Sequence, residues 1–136
     1  MNFFIICVIC FFGAVQAAVI TEEQKGKLLE FNKQCMEETH VDMDIVMKAS
    51  KGVYTDDPTF KKHIFCVNKK AGFQNAAGDL QIDTMKAKIN SIVKDEKKTN
   101  EFISKCALNK DTPENTAFEV AKCFHNISPE KDVLGL

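Results

Sequence analysis

The sequence predicts a small all-α domain held together by disulfide bridges, and three observations support this fold class. Apolar residues recur every three or four positions in several segments, as they do along one face of an α-helix. Asp, Thr, Pro and Gly residues that favour helix ends flank these segments. The 136 residues are 45% hydrophobic and 27% charged, a composition typical of one globular domain. We see no convincing strand and no internal repeat.

The first part of the chain, residues 1–17, is expected to be a signal peptide. Phe3 to Val15 is an almost unbroken apolar run, too short to cross a bilayer of about 30 Å as a helix. The side chains up to Ala17 suit a signal peptidase. We therefore expect cleavage after Ala17, a mature domain over residues 18–136, secretion, and no membrane insertion. A retained membrane anchor is the less favoured alternative.

Four cysteines lie beyond this segment, at Cys35, Cys66, Cys106 and Cys123. An even number in a small secreted domain is typical of a disulfide framework, and the residues alone leave three pairings open. Zinc binding is the competing interpretation. The C-x-x-C pair of the chain, Cys7 and Cys10, leaves with the expected signal peptide. Because the mature domain has no C-x-x-C or H-x-x-x-H pair and the gaps between its four cysteines are long, we expect no metal site.

Capping residues set the boundaries of the first three of six expected helices. Thr21 begins a capping box that ends at Gln24. Asp57 is a helix cap followed by Pro58, a residue common at the first helical position. Glycine is common where helices end. These signals predict helices from Thr21 to about Glu38, from about Asp42 to Gly52, and from Asp57 to just before Gly72.

The second half of the chain repeats this pattern. An apolar stripe runs from Ile82 to Val93, and the charged run Lys94 to Lys98 is expected to be a solvated connector. A shorter helix is predicted from Asn100 to Leu108. The segment Asp111 to Glu114, which contains a proline, opens a last helix that reaches Ile127.

Charge and composition argue against nucleic-acid binding. The 18 cationic residues are all Lys, and 19 Asp and Glu residues bring the formal net charge to -1. No strong basic field therefore attracts a polyanion, and no planar guanidinium is present to grip phosphate or guanine.

Residues for catalysis are also hard to find. The chain has three histidines, His40, His63 and His125, and lacks the sequence motifs of serine hydrolases, zinc proteases and nucleotide-binding enzymes. If all four cysteines form disulfides, no thiolate nucleophile remains. We therefore expect neither enzyme activity nor a cofactor. A pH switch is the alternative role for the histidines, since histidine titrates at about pH 6.5.

The order of helices and the spacing of cysteines resemble the insect odorant- and pheromone-binding proteins. That family's six cysteines have three residues between the second and third and eight between the fifth and sixth. Counted back from Cys66 and Cys123, the second and fifth cysteines would fall at Lys62 and Glu114, so both are missing. Because the second and fifth cysteines bond to each other in the family, one whole bridge is absent, as in the four-cysteine "minus-C" branch. The segments 66–72 and 78–80 are also similar to the family.

The resemblance implies a compact six-helix fold enclosing an apolar cavity, with two disulfides. The implied pairs are Cys35 with Cys66 and Cys106 with Cys123. Lys62 and Glu114, at the positions of the absent bridge, are expected to lie close and form an exposed ion pair, worth only about 0 to 1 kcal/mol.

The expected ligand-binding residues come from two sources. The resemblance implies five apolar positions and one polar position, Asn68, as a hydrogen-bond partner for a ligand oxygen. The apolar stripes add four more. The alternatives are that these apolar side chains fill a solid core and that Asn68 contacts backbone at a helix end. The full set is Leu28, Ile64, Asn68, Phe73, Ile82, Met85, Ile89, Ile103, Val120 and Phe124.

The implied function is transport of small hydrophobic ligands, such as odorants, pheromones or lipids, through sensillar lymph or haemolymph. An odorant receptor is a further candidate partner, and the expected state is a monomer or a weak homodimer. Two alternatives remain open: a carrier of lipids or hormones in haemolymph or a gland, and a structural or defence protein with no cavity.

Overall fold

Six helices make up the part of the protein that the structure describes. The computed structural model describes residues 22–127, so the expected signal peptide and the Thr21 cap lie outside the described residues. Within them the all-α prediction is confirmed, since the only extended pairing is an isolated bridge between Gln74 and Leu80. The helices are α1 (Glu22–Thr39), α2 (Met43–Ser50), α3 (Pro58–Ala71), α4 (Ile82–Val93), α5 (Glu96–Cys106) and α6 (Pro113–Ile127).

Local capping explains where several helices begin and end. The Asp42 carboxylate accepts a hydrogen bond from the Asp44 amide at the start of α2. Asp57 does the same for the Phe60 amide at the start of α3, where Pro58 is the first helical residue. These contacts satisfy amide groups that have no partner inside the helix. Gly72 ends α3 in a left-handed conformation, with φ of 81°.

The charged run between α4 and α5 corrects a prediction. Most of the expected connector is helical, because α5 already begins at Glu96. Lys94 ends α4 with a left-handed φ of 54°, and the Asp95 carboxylate then accepts a hydrogen bond from the Lys98 amide at 3.1 Å. Within the run, Glu96, Lys97 and Lys98 are exposed, whereas Thr99 is buried. Charge therefore marked a solvated helix face there.

Two disulfides join the helices in pairs. Cys35–Cys66 links α1 to α3 and closes a separation of 31 residues, and Cys106–Cys123 links α5 to α6 across 17 residues. Both pairs are the ones that the resemblance implies. On the chain-entropy account each bridge stabilises the fold by about 3 to 4 kcal/mol.

The expected ion pair at the absent third bridge does not form. Among the described residues, no contact within 4.0 Å joins the ammonium of Lys62 to the carboxylate of Glu114. Lys61 faces α6 instead: its ammonium lies 2.7 Å from the Asp56 carboxylate and donates to the side-chain oxygen of Asn115 at 2.9 Å. One residue along a helix rotates the side chain by about 100°, which leaves Lys62 exposed.

Helix α6 runs between two buried clusters. One, the aromatic core, has Phe60 and Phe118 at its centre and lies against α2 and α3. The other, the cavity side, joins α4, α5 and α6 around Met85, Val120 and Phe124. None of the helices between residues 22 and 127 is long and apolar enough to span a bilayer.

Candidate ligand-binding cavity

A largely enclosed apolar cavity of about 70 Å³ lies on the cavity side of α6. Helix α1 contributes one wall residue, α3 two, the loop between α3 and α4 two, α4 two and α6 three. Within each helix these residues are one, three or four positions apart, so each helix presents a single stripe to the cavity. The wall consists of Leu28, Val67, Asn68, Phe73, Leu80, Met85, Ile89, Val120, Ala121 and Phe124.

Seven of the ten residues predicted to bind ligand lie on this wall. They come from α1, α3, the α3–α4 loop, α4 and α6, which the fold brings together from distant parts of the sequence. Contact with a ligand stays a prediction for each of them. These seven are Leu28, Asn68, Phe73, Met85, Ile89, Val120 and Phe124.

The other three predicted residues lie elsewhere. Ile64 is buried in the aromatic core and is not part of this wall. Ile82 and Ile103 belong to the cluster on the cavity side, where they pack against its buried residues without lining the cavity. All three face inward, as their stripes predict. An inward-facing residue can nevertheless pack in either interior cluster without lining the cavity.

Three wall residues are not among the predicted ligand-binding residues: Val67, Leu80 and Ala121. Ala121 lies three positions before Phe124, a spacing that places both on one helix face and could have identified it. Val67 follows a disulfide cysteine and is buried. Leu80 lies in a loop, where no periodicity exists to detect it.

The loop between α3 and α4 is anchored by a buried glutamine. Gln74 donates hydrogen bonds to the carbonyls of Gly78 at 3.1 Å and Pro113 at 3.2 Å, and accepts one from the Asn68 amide at 2.8 Å. This network ties the loop to α3 and to the start of α6. It therefore holds Phe73, next to Gln74, against the cavity.

Asn68 is the one polar side chain among the ten wall residues. Its amide nitrogen donates to the Gln74 side chain, so the alternative of a side-chain contact with backbone is not what the structure shows. Its backbone carbonyl accepts hydrogen bonds from Phe73 and Gln74 at the end of α3. A hydrogen bond from Asn68 to a ligand stays a prediction.

Titratable groups lie behind the wall and not on it. His63 is buried with its Nε2 at 3.1 Å from the Asn32 side-chain oxygen. Burial lowers the pKa of His63, and the nearby Cys35 carbonyl opposes this effect. Tyr54 donates to the Ala121 carbonyl at 3.4 Å, and burial raises the pKa of Tyr54 to about 12. The wall itself carries no acid, base or nucleophile.

A second concavity lies on the outside, between α1 and α2. It is larger, about 540 Å³, but open to solvent, and charged Lys33 and Glu37 are among its lining residues. Apolar ligands gain most where surface is removed from water on all sides. The enclosed cavity therefore suits an apolar ligand better than this outer groove. Within residues 22–127 no cluster of three or more His, Cys, Asp or Glu side chains is placed to hold a metal ion.

A helical shell with two disulfides and an enclosed apolar cavity defines a binding protein for small hydrophobic molecules. Its relatives agree with this class. The chain belongs to the PBP/GOBP family, whose model matches residues 17–127.

Individual relatives support the assignment. The chain is 37% identical to the B1 protein of Tenebrio molitor over 116 residues, which covers 85% of this chain and 88% of that protein. The solved structure of the THP12 carrier protein from the yellow meal worm is 34% identical, covers 69% of this chain and 87% of its own, and has a TM-score of 0.59. Odorant binding protein 4 of Chrysopa pallens shares the fold, with a TM-score of 0.69 at 24% identity over 85% of this chain and 98% of its own.

Proposed function

We propose that this protein is a secreted carrier that takes up small hydrophobic molecules in its internal cavity and moves them through an aqueous fluid. The observation that carries the proposal is the composition of the wall, nine apolar side chains and one amide. Family membership supports it. In this proposal the protein binds and releases its ligand chemically unchanged and uses no cofactor.

Apolar burial supplies the affinity. Removing apolar area from water gains about 25 cal/mol per Å². A ligand that buries roughly 300 Å² would gain about 7.5 kcal/mol before ordering costs, so its affinity is expected to be micromolar or weaker. That range suits a carrier, since a picomolar ligand would dissociate too slowly to be delivered.

The wall must move to admit such a ligand. Drug-sized ligands occupy pockets of about 300 Å³ or more, whereas the cavity measures about 70 Å³. Met85 is a flexible thioether, Leu28 is half-buried, and Phe73 lies on a loop. These three side chains are the proposed moving parts, because each can change rotamer without breaking a helix.

The remaining parts of the proposal concern where the protein acts. Cleavage after Ala17 would give a mature domain over residues 18–136 in sensillar lymph or haemolymph. An odorant receptor is a proposed partner in the first fluid, whereas a lipid or hormone cargo fits the second. Tissue expression separates them, and native mass spectrometry tests the proposed monomer or weak homodimer.

Filling the cavity tests the proposal. Val120→Phe places a ring where the ligand would lie, and Val53→Phe is the matched control at an exposed position. Binding is measured with an apolar fluorophore whose emission rises in apolar surroundings. We expect Val120→Phe to weaken binding at least tenfold while helicity is retained, and Val53→Phe to bind like the parent protein. Undiminished binding by a folded Val120→Phe variant would refute the proposal.

A further inference from the structure

The outer face of α2 carries apolar side chains that residues 22–127 leave largely in water. Met43 and Met47 lie one turn apart on this face and are 54% and 53% exposed. Met43 lines the outer groove between α1 and α2, and so does Leu29 on α1, which is 67% exposed. Exposed apolar residues gathered in one concavity are typical of a contact site, unlike single ones scattered over a surface. The groove therefore suits an apolar partner.

The described part of the chain ends beside the end of α2. Helix α6 ends at Ile127, and the ring of His125 in its last turn lies against the turn that follows α2. A Cβ at Gly52 in that turn would be only 2.8 Å from the His125 Nε2. The same ring lies 5.7 Å from the Tyr54 ring, measured between centroids. Whatever follows Ile127 therefore starts next to α2.

The sequence continues after α6 with residues 128–136, here called the distal segment. An extended chain covers at most about 3.5 Å per residue, so a segment of this length can span about 30 Å. Helix α2 has eight residues and is only about 12 Å long. The distal segment is thus long enough to run back along α2 and reach the outer groove.

The order of charged and apolar residues is the same along the two segments. In the distal segment Glu130 and Asp132 come first, and the apolar residues 133–136 follow. Near the end of α2, Lys48 and Lys51 are exposed, and no carboxylate within residues 22–127 lies within 4.0 Å of either ammonium. The two exposed methionines lie further back along the same helix. A segment running antiparallel to α2 would therefore match acid to lysine and apolar side chain to methionine.

We propose that the distal segment runs back along α2 and seats residues 133–136 in the outer groove. Its two acidic residues then lie beside Lys48 and Lys51. Apolar contact supplies most of the affinity, because exposed ion pairs contribute little, and the charges set the direction of the segment. The groove lies on the side of the aromatic core, so this contact would brace α1 against α2 away from the cavity.

Oxidation of methionine by hydrogen peroxide tests the proposal, because a covered thioether reacts more slowly than an exposed one. Peptide mass spectrometry follows each methionine in the mature protein and in a variant that lacks residues 130–136. We expect the deletion to raise the oxidation rates of Met43 and Met47 at least threefold. Met85 is buried on the cavity wall and should stay slow in both proteins, which shows that the deletion variant is folded.

Point variants separate the apolar contact from the charges. Leu134→Asp should raise the two rates as the deletion does, whereas Lys131→Ser, a matched change in the polar part, should not. Replacing both Lys48 and Lys51 by Glu should raise the rates in the parent protein and add nothing in the deletion variant, because the acidic residues it would repel are gone.

Equal oxidation rates in the parent protein and the deletion variant overturn the proposal. If those equal rates rise on dilution, a second copy of the chain covers the groove instead. If they are low at every concentration, residues 18–21 before α1 are the remaining cover. Fluorophore binding in the cavity should be the same with and without residues 130–136. A deletion that changes only this binding places the distal segment at the cavity and also overturns the proposal.

Discussion

The two sides of helix α6 are filled in different ways. On one side, the rings of Tyr54, Phe60 and Phe118 contact one another with centroids 6.0 to 6.3 Å apart. On the other, Val120 and Phe124 face the cavity together with aliphatic and Met side chains. Both sides bury apolar residues from the same helix, yet the space left on the cavity side is about 70 Å³, against about 10 Å³ beside Tyr54 and Phe60 on the other.

The difference separates stability from binding within one small domain. Interlocked rings bury large areas and add favourable edge contacts, so the aromatic core is suited to hold the helices together. The cavity side lacks some of its packing contacts, which costs stability but leaves room for a guest. The two disulfides offset that cost by restricting the unfolded chain.

The largest expected effect comes from truncating a ring on each side. Phe118→Ala should lower the free energy of unfolding by about 3 to 5 kcal/mol, because it leaves a void in a packed core. Phe124→Ala should cost less, since its ring already borders empty space. Chemical denaturation measures both. Equal losses at the two positions would contradict the proposed division.

The loss of ligand affinity should be larger for Phe124→Ala than for Phe118→Ala, the opposite of the order expected for stability. Phe124→Ala removes roughly 50 Å² of wall contact and should weaken an apolar ligand about tenfold. The folded fraction of Phe118→Ala should bind like the parent protein, because Phe118 does not line the cavity. Fluorophore titration at a temperature where both variants are folded checks this expectation.

Removing each disulfide comes next in size. Replacing Cys106 and Cys123 with Ser should lower the free energy of unfolding by about 3 kcal/mol. The same change at Cys35 and Cys66 should cost about 0.5 kcal/mol more, because that bridge spans 31 residues instead of 17. Thermal and chemical denaturation of the two double variants measure the order. A clearly larger loss at the shorter bridge would show that native packing, and not chain entropy, dominates.

A glycine in the loop beside the cavity gives a smaller effect. Gly78 has φ of 91°, and a Cβ there would lie 2.4 Å from the Cβ of Pro113. Gly78→Ala should therefore cost about 1 to 3 kcal/mol and weaken ligand binding by shifting the loop that carries Phe73. Gly26→Ala is the control, because a Cβ in that helix meets nothing within 4 Å and should stabilise α1 slightly. If Gly78→Ala changed neither the free energy of unfolding nor ligand binding, the close packing of this loop against Pro113 would be disproved.

The pH dependence should be the smallest effect. Burial lowers the pKa of His63 below its usual 6.5, so the unfolded chain binds more protons than the folded protein between the two values. The contribution of His63 to the free energy of unfolding is therefore fully present above about pH 6.5 and is lost as the pH drops toward the folded pKa. Denaturation at several pH values should show this slope, and His63→Gln should flatten it.

Local signals in the sequence predicted the helices well. Capping by Asp57 and Pro58 and the left-handed stop at Gly72 are decided by neighbouring residues, so the sequence carries them directly. The charged run that opens α5 was wrongly predicted, because charge reports solvent exposure and not backbone conformation. The expected ion pair between Lys62 and Glu114 was also wrong. The spacing of the cysteines does not show which of two neighbouring lysines faces α6, and in the structure it is Lys61.

The cavity was only partly predictable. Periodicity shows which residues face inward, and in α4 and α6 the inward stripes do reach the wall. It does not show which of two interior clusters a residue joins, and for that reason Ile64 lies in the aromatic core. Leu80 was missed because tertiary hydrogen bonds through Gln74 place its loop.

The most direct test of the account is a methyl NMR titration with an apolar ligand such as dodecanol. Met85 lies on the cavity wall, whereas Met43 lines the outer groove and Met47 is exposed. We predict a saturable shift of the Met85 methyl signal, with the Met43 and Met47 signals unchanged. Saturable shifts at Met43 with none at Met85 would place the ligand outside, between α1 and α2, and would contradict an internal binding site.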